Sequence, residues 1–228
     1  VTPARARAIR RYGKPAVLLF LLSPGLFLAW EWWGLIQGTH GQSLGFNPVE
    51  YTIRATGELA LRMLLITLAI TPLVRLTGWA VLTSFRRMLG LLAFSYVVVH
   101  LTLYLAIDLE LDFVALAKDV EKRIYITAGM GAFLLLLPLA ITSTSGWIKR
   151  LGARRWQRLH QLVYLAAILG VVHFLFMVKG NQREPWIYAA ILALLLGARV
   201  AFRVIDARKK MARRNAPGQS GWVSLRGR

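Results

Sequence analysis

Six long stretches of nearly unbroken apolar residues, separated by short polar segments, set the pattern of this chain. They run 15–36, 58–76, 88–107, 124–143, 159–178 and 186–205. A helix needs roughly 20 apolar residues to cross a hydrocarbon core of about 30 Å, and each stretch meets that length. The third and fourth contain no charged residue. The sixth carries Arg199 and Arg203, spaced so that both can snorkel from one face toward the same surface. The pattern predicts an all-α membrane protein of six transmembrane helices. A basic N-terminus, 1–14, and a basic tail, 206–228, flank the bundle at 15–205.

Composition supports this reading and orients it. The chain is 57% hydrophobic, yet its formal net charge is +19. A nucleic-acid partner would require that charge as a solvated patch, whereas here it falls between apolar runs; no nucleic-acid binding is expected. With the N-terminus in the cytoplasm, the inner side receives the arginines before residue 15, Arg75, Arg86, Arg87, the basic segment 149–158 and the tail. The outer side holds Arg54, Arg62, Lys118, Lys122, Arg123, Lys179 and Arg183, with most of the acidic residues. The positive-inside rule therefore puts both termini in the cytoplasm of an inner (plasma) membrane protein. The first stretch has the basic start of a signal peptide, but it is long and ends in Trp30, Trp32 and Trp33, an interfacial anchor; it is read as a retained helix. Segment 37–57 is read as the longest outer loop from its glycines and Asn-Pro step, and the tail as a basic start in contact with anionic lipid, followed by a disordered end. No internal repeat stands out, which disfavours an inverted-repeat transporter.

The chain has no cysteine, so disulfides, cysteine-ligated clusters, thiol nucleophiles and covalent haem attachment are excluded; haem held by histidine is not. Of four histidines, His40 is read as an ordinary loop residue. His100 lies twelve positions into the third stretch and His173 fourteen into the fifth, both entered from the inner side. At about 1.5 Å per residue the two share one depth toward the outer leaflet. Two neutral imidazoles at one depth on two helices suit the axial positions of a haem b, and two axial histidines leave the iron no open site, which favours electron transfer. The alternative is a pair of interhelical hydrogen-bonding residues. His160 lies roughly 20 Å deeper, at the inner surface, either solvated or in contact with a second haem or another cofactor. It also stands roughly 140° around an ideal helix from His173, so a shared stack requires a bend near Gly170 or approach from different sides. Arg62, inside the outer end of the second helix, needs an anion: a haem propionate or Glu58, four residues earlier. Arg75, Arg86 and Arg87 either set topology or hold an inner propionate or a flavin phosphate.

The segments LLITLAITPLVRL, RRMLGLLAFSYVVVHLTLY, LAITSTSG and RRWQRLHQLVYLAAILGVVHFLFMVK resemble the MsrQ (formerly YedZ) family. This family comprises haem-binding membrane subunits within the ferric-reductase-like transmembrane group. The resemblance covers nearly the whole chain and implies a ferric-reductase-like haem-binding bundle. His100, His160 and His173 match three of the group's four haem ligands. Where the fourth would stand the chain has Arg87, after Arg86, so the resemblance implies one haem b and leaves a second in question. It further implies electrons from a cytoplasmic flavin reductase or the quinone pool, and admits FMN as a second cofactor. They leave for a periplasmic molybdopterin methionine sulfoxide reductase, MsrP, which carries the sulfoxide chemistry. The outer segments 40–56 and 109–123 are the expected docking surfaces. The competing readings are a stand-alone metalloreductase, a quinone-linked cytochrome b, a channel or transporter with gating histidines, and a structural anchor.

Overall fold

The structure is a computed structural model that describes residues 2–178 and 182–215. Six helices are long and apolar enough to cross a membrane. In chain order the elements are α1 (Pro3–Gln37), α2 (Pro48–Thr77), α3 (Ala80–Asp108), the short α4 (Phe113–Lys122), α5 (Ile124–Ile141), the short α6 (Ser145–Leu151), α7 (Ala153–Met177) and α8 (Glu184–Asn215). No strand occurs among the described residues.

Two helix pairs, α2 with α3 and α5 with α7, form the centre of the bundle. The buried cluster they share includes Leu64, Leu68, Ala93, Leu136, Ala166, Ala167 and Val171. Ala166 and Ala167 are completely buried, and such small side chains let helix backbones approach where lipid offers no hydrophobic drive for packing. α8 packs on α2 and α7. α1 is fastened to the bundle by two polar contacts: Tyr96 Oη donates to the Leu21 carbonyl at 2.9 Å, and Trp32 Nε1 donates to Thr52 Oγ1 at 2.8 Å. Its Leu19, Phe20, Leu26 and Phe27 remain exposed, as a lipid-facing surface requires.

The elements depart from the sequence pattern in four places. α2 starts ten residues earlier than 58, so half of the expected loop 37–57 is helix. The Asn-Pro step read as a loop signal is a helix start: the Asn47 side chain accepts from the Glu50 amide at 3.1 Å, and Pro48 takes the first helical position, where no amide is needed. The expected loop 109–123 contains α4, capped by Asp112 through the amides of Val114 and Ala115. A bend near Gly170, one of the two ways to a shared stack, does not occur; α7 is broken instead at His160 and Gln161, into Ala153–Leu159 and Leu162–Met177. The start of the tail is helical, since α8 runs on to Asn215; the rest, 216–228, lies outside the described residues, as does Lys179.

Candidate functional site

A cavity of about 520 Å³ opens between the two central pairs at the end of the bundle that carries α4. This size suits a cofactor or drug-sized ligand. Its inner wall is apolar, with Leu61, Leu64, Val97, Phe133 and Leu136; Glu50, Arg54, Glu58, Asp108 and Arg123 give its mouth charge. His100 from α3 and His173 from α7 both line it.

The two histidines are held by the same device, built once in each pair. His100 Nδ1 lies 2.8 Å from the Ile53 carbonyl of α2, and His173 Nδ1 lies 2.6 Å from the Tyr125 carbonyl of α5. One turn further along each partner helix stands a glycine, Gly57 or Gly129. A Cβ there would come within 3.0 Å of His100 Nδ1 and 2.7 Å of His173 Nδ1, respectively. The glycines thus leave room for the rings to reach the carbonyls. A carbonyl only accepts, so in each neutral ring Nδ1 carries the proton and Nε2 carries the lone pair. Neither Nε2 is hydrogen-bonded among the described residues.

The ring centroids lie 6.0 Å apart with the planes at 81°. A metal–imidazole bond is about 2.0 Å long, so two imidazoles on opposite sides of one metal have centroids about 6 Å apart. The separation, the two free lone pairs and the apolar chamber therefore fit a haem with two axial histidines.

The ferric reductase like transmembrane component family matches residues 56–171, about half of the chain. A protein of Xanthomonas campestris pv. campestris named protein-methionine-sulfoxide reductase heme-binding subunit MsrQ is 52% identical over 204 residues, covering 90% of this chain and 92% of the relative. The chain belongs to the MsrQ family. A Xanthomonas oryzae relative of the same name is 51% identical over 87% of this chain and 90% of its own length; one from Caulobacter vibrioides is 46% identical over 84% and 92%. MsrQ membership and six apolar helices make this a multi-pass protein of the bacterial inner membrane with a ferric-reductase-like bundle.

The remaining sequence candidates lie apart from the cavity lining in this MsrQ chain. Arg62 does not line it; Nη2 bonds Glu58 at 2.8 Å and Nε donates to Tyr188 Oη at 2.6 Å. The lining arginines are Arg54, paired with Glu50 at 2.6 Å, and Arg123, paired with Asp119 at 3.2 Å. His160, at the corner of α7, stacks on Trp156 with centroids 3.9 Å apart, and its Nε2 lies 3.2 Å from Thr142 Oγ1. That hydroxyl donates its proton to the Pro138 carbonyl at 2.6 Å, so His160 Nε2 must be the donor to it. His160 thus holds the opposite tautomer from the cavity pair. Arg75 is bonded to Asp206 and lies over the Phe202 ring; Arg86 donates to Thr71 Oγ1 at 2.7 Å; Arg87 is exposed. His40, expected as a plain loop residue, stacks on Trp30 at 4.6 Å and fills the space above Gly34.

The sequence reading missed the carbonyls of Ile53 and Tyr125, which no side-chain pattern can announce. It also missed Gly57 and Gly129, whose signal was available: a glycine inside a helix usually marks a close approach.

Proposed function

We propose that this chain is a membrane electron-transfer subunit that holds one haem b between His100 and His173. It passes electrons from the basic face of the bundle to a periplasmic molybdopterin methionine sulfoxide reductase. The observation that carries this reading is the pair of imidazoles lining one chamber with centroids 6.0 Å apart, each with Nδ1 committed to a carbonyl and Nε2 free, so that both would hold the haem iron. Haem b, when bound, supplies a one-electron carrier. The chain supplies the rest. The Ile53 and Tyr125 carbonyls fix tautomer and ring orientation and raise the basicity of each Nε2. The apolar wall keeps water from the inner part of the chamber. Arg54 and Arg123 are the cations at the mouth available to haem carboxylates. Both termini lie in the cytoplasm in this reading. A cytoplasmic flavin reductase or a quinone, with FMN as a further carrier, delivers electrons at the arginine-rich face.

The test is the reduced-minus-oxidised visible spectrum of the purified chain, with haem quantified in the same sample. One low-spin b-type haem per chain is expected. A chain expressed with ample haem that purifies without any would overturn the reading.

A further inference from the structure

The end of the bundle opposite the cavity holds cations that the protein does not neutralise. Arg86 Nη2 donates to Thr71 Oγ1 at 2.7 Å, and Arg199 Nη2 donates to the same oxygen at 3.1 Å. Arg199, whose spacing from Arg203 allows both to snorkel toward one surface, turns into the bundle. Its Nη1 donates to Tyr164 Oη and its Nη2 to the Leu68 carbonyl, both at 2.7 Å. Its Nε is buried and has no hydrogen-bond partner. Every acceptor in this cluster is a neutral oxygen.

No carboxylate is at hand to balance the two guanidiniums. The four ion pairs among the described residues include neither Arg86 nor Arg199. Nine of the chain's ten acidic residues belong to the cavity end, from Glu31 near the close of α1 to Glu184 at the start of α8. The tenth, Asp206, is bonded to Arg75. Two like charges share one hydroxyl, and a partly buried guanidinium without a countercharge is costly in a bilayer. The Thr71 hydroxyl accepts from both arginines, and its own proton has no acceptor among the described residues. The cluster therefore offers charge-assisted N–H donors and one O–H donor, the requirement of a tetrahedral oxyanion.

Place and surroundings indicate where that anion comes from. Thr71 is six residues from the end of α2, about 9 Å along the helix axis, which is headgroup depth rather than mid-bilayer. Val200 and Val204, on α8 one and five residues after Arg199, are 60% and 44% exposed, an apolar surface fit for acyl chains. The next turns of α8 carry exposed Arg203, Arg208, Lys209 and Lys210, which concentrate anionic lipid at this surface. We propose that Thr71, Arg86 and Arg199 form a phosphate site for the headgroup of an anionic phospholipid, whose chains lie along the exposed apolar side of α8. The inference stands apart from the haem reading.

The test uses the full chain, delipidated in mild detergent and titrated with phosphatidylglycerol or with zwitterionic phosphatidylcholine. Binding is read by native mass spectrometry and by the thermal midpoint, neither of which requires haem. Phosphatidylglycerol should bind about tenfold more tightly than phosphatidylcholine and raise the midpoint, and Arg86→Gln should erase about tenfold of that affinity. Arg183→Gln, which removes an exposed charge at the opposite, cavity end of the bundle, should leave it intact. If Arg86→Gln does not fold, Thr71→Val provides the same reading with a several-fold loss. Equal binding of the two lipids, or unchanged phosphatidylglycerol binding in Arg86→Gln and Thr71→Val, overturns the site. Protection by inorganic phosphate or FMN, with none by phosphatidylglycerol, overturns the lipid assignment.

Discussion

The two ends of the bundle treat histidine in opposite ways. At the cavity end, His100 and His173 each give the Nδ1 proton to a backbone carbonyl, leave Nε2 uncommitted and line a shared chamber. At the basic end, His160 is stacked on Trp156 and donates from Nε2 to a threonine whose own proton is spent on Pro138. The ends differ in charge as well. Arg54, Arg62 and Arg123 all have carboxylate partners, while Arg86 and Arg199 rest on neutral oxygens. An intramembrane histidine is ready to bind a metal when the fold satisfies one ring nitrogen and leaves the other its lone pair. Membrane depth and residue type do not decide this; the neighbour's hydrogen-bonding capacity does.

The harshest way to break this comparison is to remove the rings. His100→Ala and His173→Ala should each reduce haem per chain to below about a tenth of wild type, since even the loss of a supporting hydrogen bond around a metal ligand costs 10- to 100-fold. His160→Ala should retain the haem and its spectrum. Pyridine haemochrome quantification on the three purified variants checks this. Haem retained in both cavity variants, or lost in His160→Ala alone, would reverse the roles assigned to the two ends.

A milder break fills the space beside the rings. Ala at position 129 would put a Cβ 2.7 Å from His173 Nδ1, closer than any tolerated contact, so the ring must leave its carbonyl. Ala at position 57 would meet His100 at 3.0 Å, where a small shift suffices. Overpacking of this kind costs about 1–3 kcal/mol. Gly129→Ala should accordingly weaken haem retention roughly tenfold or more, and Gly57→Ala by less. Measured haem dissociation rates in the reverse order would show that the glycines do not set the ring positions.

The sequence carried much of this, and the reasons for its gaps are physical. Six apolar runs and their lengths follow from what a bilayer demands of any helix, so the six helices were legible. The common depth of His100 and His173 followed from a fixed rise per residue. Rotation about the helix axis, which decides what a side chain meets, was legible only in part. Arg62 had two candidate anions within reach by spacing, and its contacts are with Glu58 and Tyr188. The spacing of Arg199 and Arg203 allowed both to snorkel from one face toward the same surface, yet Arg199 reaches Leu68 and Thr71 on α2. Asn47-Pro48 shows a different failure: the same dipeptide ends a loop and starts a helix, and only the cap contact with Glu50 tells which.

The smallest expected effect sharpens the comparison most. Thr142→Val preserves the shape of the side chain but removes the oxygen that accepts from His160 Nε2. Both hydrogen bonds of the hydroxyl are lost, the one from His160 and the one to the Pro138 carbonyl, but that carbonyl still accepts from the Thr142 amide at 3.0 Å, so stability should fall by about 1–2 kcal/mol. The Pro138 carbonyl retains its place in the helix, and Trp156 Nε1 still reaches the Thr142 backbone carbonyl, at 2.9 Å, because that group is unchanged by the substitution. With the acceptor gone, nothing on the ring's Nε2 side selects the protonated form, and the two tautomers of His160 become comparable in energy. Nitrogen chemical shifts of the imidazole, recorded on histidine-labelled protein, report the tautomer directly. Wild type should show His160 protonated at Nε2, in contrast to protonation at Nδ1 in haem-free His100 and His173, and Thr142→Val should show a mixture. A wild-type His160 protonated at Nδ1 would mean that its Nε2 carries a free lone pair, and the basic end would then hold a potential ligand equal in kind to the two at the cavity.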